Sequence, residues 1–202
     1  EELIVAFDLS RVQKGSAIFD EVKLFSVNQH WMRELPDEKF LACLDFVNPK
    51  SSEGFTKSFN PEVLHKTVPL LRERAKTFGE AREMLGGELA CFFTEPILDK
   101  ARLLLKELPD RPGVAVSALQ GLLELIKGLP EGVSADEVKN ALMPFANEEE
   151  TRGRGGRGAV LWPLRYALSG QERSPDPFTI ISIIGPRNAA PRLHAALAIL
   201  RG

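Results

Sequence analysis

Apolar residues recur every three to four positions along nearly all of this 202-residue chain, and alternating β-branched runs are almost absent. A period near 3.6 returns side chains to one face of a helix, whereas a half-buried strand needs a period of two. Such a chain has to bury helix stripes against other helices, so the predicted fold class is all-α, built from small helical bundles. Residues 61–76 (PEVLHKTVPLLRERAK) set Val63, Leu64, Val68, Leu70 and Leu71 on one stripe, with Pro61 in the first turn and Asn60 as the cap. Pro69 is expected to split this stretch into two short helices. Thr77 with Glu80, and Ser134 with Glu137, have the spacing of capping boxes that open two further helices. Residues 96–107 and 115–127 read as amphipathic helices closed by Leu-Pro or Gly. The most strand-like run, Thr179–Ile184, stops at Gly-Pro.

Three breaks organise the chain. Residues 48–60 read as a loop, the segments at 109–113 and 128–134 bracket one helix, and residues 148–158 (EEETRGRGGRG) are Gly-rich and expected to be flexible until a partner orders them. The expected division is 1–40, 41–130 and 131–202. No apolar run approaches the roughly 18 residues of a membrane span, and no basic signal-peptide opening precedes Glu1 and Glu2, so a processed or excised piece of a longer protein is expected.

Charge is unevenly shared. Residues 151–202 hold eight Arg against Glu172 and Asp176, a balance of 8 − 2 = +6. The whole chain is −2, which leaves −8 for residues 1–150. An Arg-rich end on an acidic body suits a polyanion partner, although a solvated basic tail has the same composition. Catalytic patterns are missing: no phosphate loop, no His-Glu-x-x-His and no zinc spacing occur in the sequence. Cys43 and Cys91 lie in apolar helical contexts and read as reduced core thiols of a cytosolic protein. In RGRGGRG, the forks of Arg152, Arg154 and Arg157 match phosphate geometry, while a plain linker remains the other reading.

Pro163, Leu164, Arg165, Ala167, Leu168, Ser169 and Gly170, followed by Ser174, Pro175, Phe178 and Gly185, resemble the C-terminal end of bacterial-type glutamyl-tRNA synthetases. Residues 7–35, 68–81 and 88–96 carry further landmarks of that family in the same order, so the likeness spans almost the whole chain. It implies an all-α anticodon-binding region for glutamate tRNA, with residues 1–40 ending a linker domain and two helical subdomains following. For the parent enzyme it implies a cytoplasmic monomer that ligates glutamate to tRNA through glutamyl-adenylate, using ATP and magnesium. This portion itself needs no cofactor or membrane, and it lacks the nucleotide motifs for catalysis.

Residue roles follow from the same likeness. Arg74 takes the place that reads the third anticodon base, a C. Arg165 takes the place that contacts the first, with Ser174, Pro175, Pro177 and Phe178 forming the pocket. Cytosine offers the O2 and N3 acceptors that an Arg fork fits. Arg72 and Lys76, with Arg152, Arg154 and Arg157, are candidate phosphate contacts. Other roles fit the same residues: Arg74 paired with Glu73 or Glu80, Arg165 at its own helix end, Phe178 in the core. Arg74 also leans toward an enzyme that avoids glutamine tRNA. RGRGGRG departs from the family's lysine-bearing helix, and Asp176-Pro177 alters the loop after Pro175. The rival reading is an all-α protein–protein interaction module with an incidental Arg-Gly linker.

Overall fold

The computed structural model describes residues 1–11, 15, 18–46, 54–104, 112–151 and 156–202. Among the described residues there are eleven α-helices and no strand. They are α1 (Glu2–Ala6), α2 (Glu21–Glu34), α3 (Asp37–Phe46), α4 (Pro61–Arg74), α5 (Phe78–Gly86), α6 (Lys100–Leu103), α7 (Pro112–Lys127), α8 (Ala135–Thr151), α9 (Gly156–Ser169), α10 (Pro177–Ile184) and α11 (Pro186–Arg201).

The expected caps hold their helices. Asn60 Oδ1 accepts from the amides of Glu62 and Val63 at 3.0 and 3.2 Å. Thr77 Oγ1 accepts from the Glu80 amide at 3.1 Å, while Glu80 reaches back to the Lys76 amide at 2.7 Å, one residue before the usual position in a capping box. Ser134 and Glu137 close the expected box, with bonds of 3.3 Å to the Glu137 amide and 2.9 Å from the Ser134 amide. Asp176 caps α10 by accepting from Phe178 and Thr179, with Pro177 at the first helical position. α10 looks strand-like in sequence because it is buried almost all round: Ile180, Ile181, Ile183 and Ile184 all lie in the core.

Several boundaries differ from the sequence expectation. Pro69 does not split α4; it lies on the exposed face with His65, whose carbonyl the missing amide leaves open toward water, while Leu64, Val68 and Leu71 keep the buried stripe continuous. The helix expected over 96–107 is only Lys100–Leu103, because Asp99 caps it by accepting from Ala101 and Arg102, and residues 105–107 lie outside the described residues. α7 starts earlier, at Pro112. α8 runs to Thr151 and α9 opens at Gly156, so both ends of the stretch expected to be flexible are helical. Phe55–Ser58 is a 3-10 turn within the expected loop, tied to α3 by Thr56 hydrogen bonds of 2.7 and 2.8 Å to Asp45.

α2 to α5 pack together, and α6 to α11 form a second group around α7, α9 and α11. The boundary expected near 130 falls between α7 and α8, inside this second group. α7 buries Leu119, Leu122, Leu123 and Ile126, and its partners are α8, α9 and α11. A Cβ on Gly121 would sit 2.3 Å from the Phe145 ring, which shows how closely α7 and α8 approach. The boundary expected at 40 falls inside α3, where Phe40 is fully buried. One apolar core runs through both groups, from Met32 to Leu200.

Candidate nucleic-acid interface

Arg74 is the last residue of α4, where the helix leaves carbonyls without internal partners. Side chains of α2 take them. Arg33 donates to the Arg72 carbonyl at 3.3 Å and Gln29 to the Glu73 carbonyl at 3.1 Å. Asn28 donates to the Lys76 carbonyl just beyond, at 2.5 Å. The Arg33 cation also suits the negative end of the helix dipole. Arg74 therefore projects from a fixed backbone, and its Nη1 lies 3.3 Å from Glu88 Oε1. Its partner is Glu88 rather than Glu73 or Glu80, and Glu80 spends its carboxylate on the Lys76 amide.

Arg72 turns inward. It pairs with Asp37 at 2.7 Å, donates to the Leu35 carbonyl and lies 5.3 Å over the Phe40 ring. These contacts tie α4 to α3. Lys76 is exposed. Arg157 is exposed in the first turn of α9, and Arg152 and Arg154 lie outside the described residues.

Arg165 projects from α9. Its Nη2 donates to the Glu172 carbonyl at 3.0 Å, and its guanidinium stacks 4.9 Å from the Trp162 ring centre. Trp162 is itself fixed, with Nε1 donating to the Arg102 carbonyl at 2.9 Å. Arg102 pairs with Glu172 at 3.6 Å. The chain turns sharply after α9 at Gly170, whose φ is +67°. A Cβ there would come within 2.9 Å of the Ile97 carbonyl oxygen, so the turn needs both glycine's left-handed freedom and its small size.

The expected pocket beside Arg165 is only partly present. Ser174 is half-buried, with Oγ donating to the Pro175 carbonyl at 3.2 Å. Pro175 and Pro177 are buried. Phe178 packs in the core at 9 % exposure and lines a shallow pocket with Lys139 and Thr179. Trp162 is the accessible aromatic surface that sequence reading passed over. The signal was its i, i+3 spacing to Arg165 on one helix. Glu88, Arg102, Gln171 and Glu172 were also missed, since their partners are distant in sequence.

Two contacts bring the Arg74 and Arg165 regions together. Gln171 Nε2 donates to the Gly87 carbonyl at 3.1 Å, directly beside Glu88 and Glu172. Arg192, 5 % exposed, donates to the carbonyls of Cys91 and Leu168 at 2.7 Å each and of Thr94 at 3.1 Å. Burial lowers the Arg192 pKa, and Glu95 acts against that shift. Burial also pushes the Cys91 thiol up to about 11, with the Arg192 charge pulling the other way. Among the described residues, no group of three or more His, Cys, Asp or Glu side chains is placed to hold a metal, and no helix is long and apolar enough to cross a membrane.

The architecture is that of an all-α module in which the segment beside Arg74's partner Glu88 is tied, through Gln171, to the turn that holds Arg165. The chain belongs to the anticodon binding domain family, whose family model matches residues 29–197. It is 35% identical over 201 residues to the glutamate–tRNA ligase of Bradyrhizobium diazoefficiens, covering 96% of this chain and 39% of that protein. The corresponding ligase of Clostridium acetobutylicum is 30% identical over 200 residues, covering 98% and 38%. The chain thus spans well under half the length of these curated relatives. A crystal structure of a glutamate tRNA ligase from Elizabethkingia meningosepticum has the same fold, with a TM-score of 0.65 at 23% identity over 95% of this chain and 35% of that one.

Proposed function

We propose that this chain reads the anticodon of glutamate tRNA as the anticodon-binding part of a glutamate–tRNA ligase. In this reading Arg74 meets the third base, a C, and Arg165 the first, with Ser174 and Pro175 beside it. Lys76, Arg157, Arg152 and Arg154 hold the phosphate backbone, while Arg72 braces α4 from within. A catalytic portion handles glutamate, ATP and magnesium, for which these 202 residues carry no nucleotide motif. The protein works as a cytoplasmic monomer.

The observation that carries this reading is the continuity from Arg74 to Arg165. Arg74 pairs with Glu88, Gly87 accepts from Gln171, and Glu172 accepts from Arg165. Two donor forks linked by this chain of contacts suit two unpaired bases of one loop, which proteins read on their pairing edges. A general protein–protein module has no need for that arrangement. Exposed apolar side chains at Ile4, Val5, Phe7, Ile18 and Phe19 support a further contact, which we assign to the catalytic portion.

The test is binding to glutamate-tRNA anticodon hairpins at two salt concentrations, with the third base changed from C to G. Base-dependent weakening on top of a salt slope supports anticodon reading. Equal salt-sensitive binding to both hairpins reduces the site to a basic phosphate surface.

A further inference from the structure

We propose that Arg74 and Glu88 form one reading unit that imitates the pairing edge of guanine, which makes Glu88 a specificity-determining residue for C at the third anticodon position. The inference rests on the anticodon reading above and adds a second side chain to it. A guanidinium only donates and a carboxylate only accepts. Side by side they present an acceptor next to donors, as guanine does with O6, N1–H and N2–H. Cytosine is the complement, with an N4 amino donor beside the N3 and O2 acceptors. A carboxylate accepting from cytosine N4 is also an established form of base readout.

The geometry leaves room for a base. The pair makes one contact, Nη1 to Oε1 at 3.3 Å, longer than the roughly 2.7–2.9 Å of a tight charge-assisted bond. Among the described residues, Nη2 of Arg74 and Oε2 of Glu88 make no hydrogen bond and can meet a ligand. The two side chains are 39% and 35% exposed, so a splayed base can reach both.

Both groups start from held backbone. The end of α4 is fixed by Asn28, Gln29 and Arg33. Glu88 sits between Gly87, whose carbonyl is held by Gln171, and Leu89, which is fully buried. Two residues further on, the Cys91 carbonyl is held by Arg192. A pair fixed at both roots discriminates by shape as well as by charge.

Uracil is the base this unit rejects. Its O4 acceptor faces the Glu88 carboxylate where cytosine has its amino group, and its N3–H faces the Arg74 donors. Guanine and adenine are larger and present a different edge. Arg74 donates to O2, which cytosine and uracil share, and to N3, an acceptor only in cytosine, so the Glu88 oxygen adds a second point of C-over-U choice at the 4-position.

The experiment titrates the chain with anticodon hairpins bearing C or U at the third position, using wild type, Arg74→Ala, Glu88→Gln and Glu88→Ala. Wild type is expected to prefer C. In Glu88→Gln that preference drops by about 5-fold or more, because the amide can donate to uracil O4. In Glu88→Ala, cognate binding weakens without a gain for U. Helix content and melting check each fold, and the Glu88 carboxylate's recorded contact is with Arg74 alone among the described residues. An unchanged C-to-U ratio in both Glu88 variants, with the preference lost in Arg74→Ala, overturns the Glu88 assignment and leaves the anticodon reading intact. No third-base preference in wild type overturns that reading, and the Glu88 assignment falls with it.

Discussion

Gln171 Nε2 donates to the Gly87 carbonyl at 3.1 Å, joining the turn after α9 to the end of α5 across 84 residues of sequence. The bond holds the segment carrying Glu88, the partner of Arg74, against the segment carrying Glu172, the partner of Arg165. Gln171→Ala removes one hydrogen bond, so stability should fall by only about 1 kcal/mol in urea unfolding. Changing the first and third bases together should then cost nearly the sum of the single changes. In wild type a measurable coupling term is expected in the same double-change cycle.

Arg192 is the larger stabilising element. Its replacement by Met leaves the buried carbonyls of Cys91 and Leu168, and the part-buried carbonyl of Thr94, without their donor. Each unsatisfied group costs about 1–3 kcal/mol, so a loss of about 3 kcal/mol or more is expected by urea titration. Arg192→Lys should recover part of that loss, since an ammonium can reach some of these carbonyls but lacks the planar fork.

Gly170→Ala tests the turn that delivers the Glu172 carbonyl to Arg165. A left-handed φ and a Cβ 2.9 Å from the Ile97 carbonyl oxygen act together. A loss of about 1–3 kcal/mol is expected in thermal or urea unfolding. First-base discrimination should fall more than third-base discrimination, because Arg74 lies on the far side of the seam.

Arg165→Lys should weaken hairpin binding about tenfold at fixed salt and relax the choice of first base, since a lysine keeps the charge but loses both the fork and the stacking on Trp162. The salt slope should stay nearly unchanged, because phosphate neutralisation is retained.

The Cys91 thiol gives a pH prediction with a definite sign. Its folded pKa is raised from 9.0 to about 11 by burial. The folded state therefore keeps its proton where the unfolded chain has lost it. The stabilisation is complete below pH 9 and is lost as pH rises toward 11. Urea titrations across that window should show a steeper decline for wild type than for Cys91→Ala, since the difference removes contributions from lysines and tyrosine. Below pH 9 the native thiol should also resist alkylation.

Helix type and three of the caps were legible because they depend on neighbours in sequence. Asn60, Thr77 and Ser134 each satisfy amides two to three residues on, and the apolar stripe of α4 carried it past Pro69. Family likeness singled out the arginines at 74 and 165. Their surroundings were not legible, because a side chain's partner across the fold leaves no trace in local spacing. Phe178 shows the limit from the other side: an aromatic after a capped Pro suits a platform or a core equally, and burial against α8 and α9 decides for the core.

The sequence by itself determined an all-α chain, the helix caps at Asn60, Thr77 and Ser134, a basic end on an acidic body, and membership of the anticodon binding domain family. These are matters of period, capping chemistry and composition, all local or additive. Only the tertiary structure decided that α7 belongs with the second helical group, that Arg72 braces while Arg74 projects, and that Glu88 stands beside it. Those outcomes depend on which faces meet when apolar stripes pack. A guanidinium becomes a brace or a reading head according to whether that packing brings carbonyls and rings to it, or leaves it at the seam.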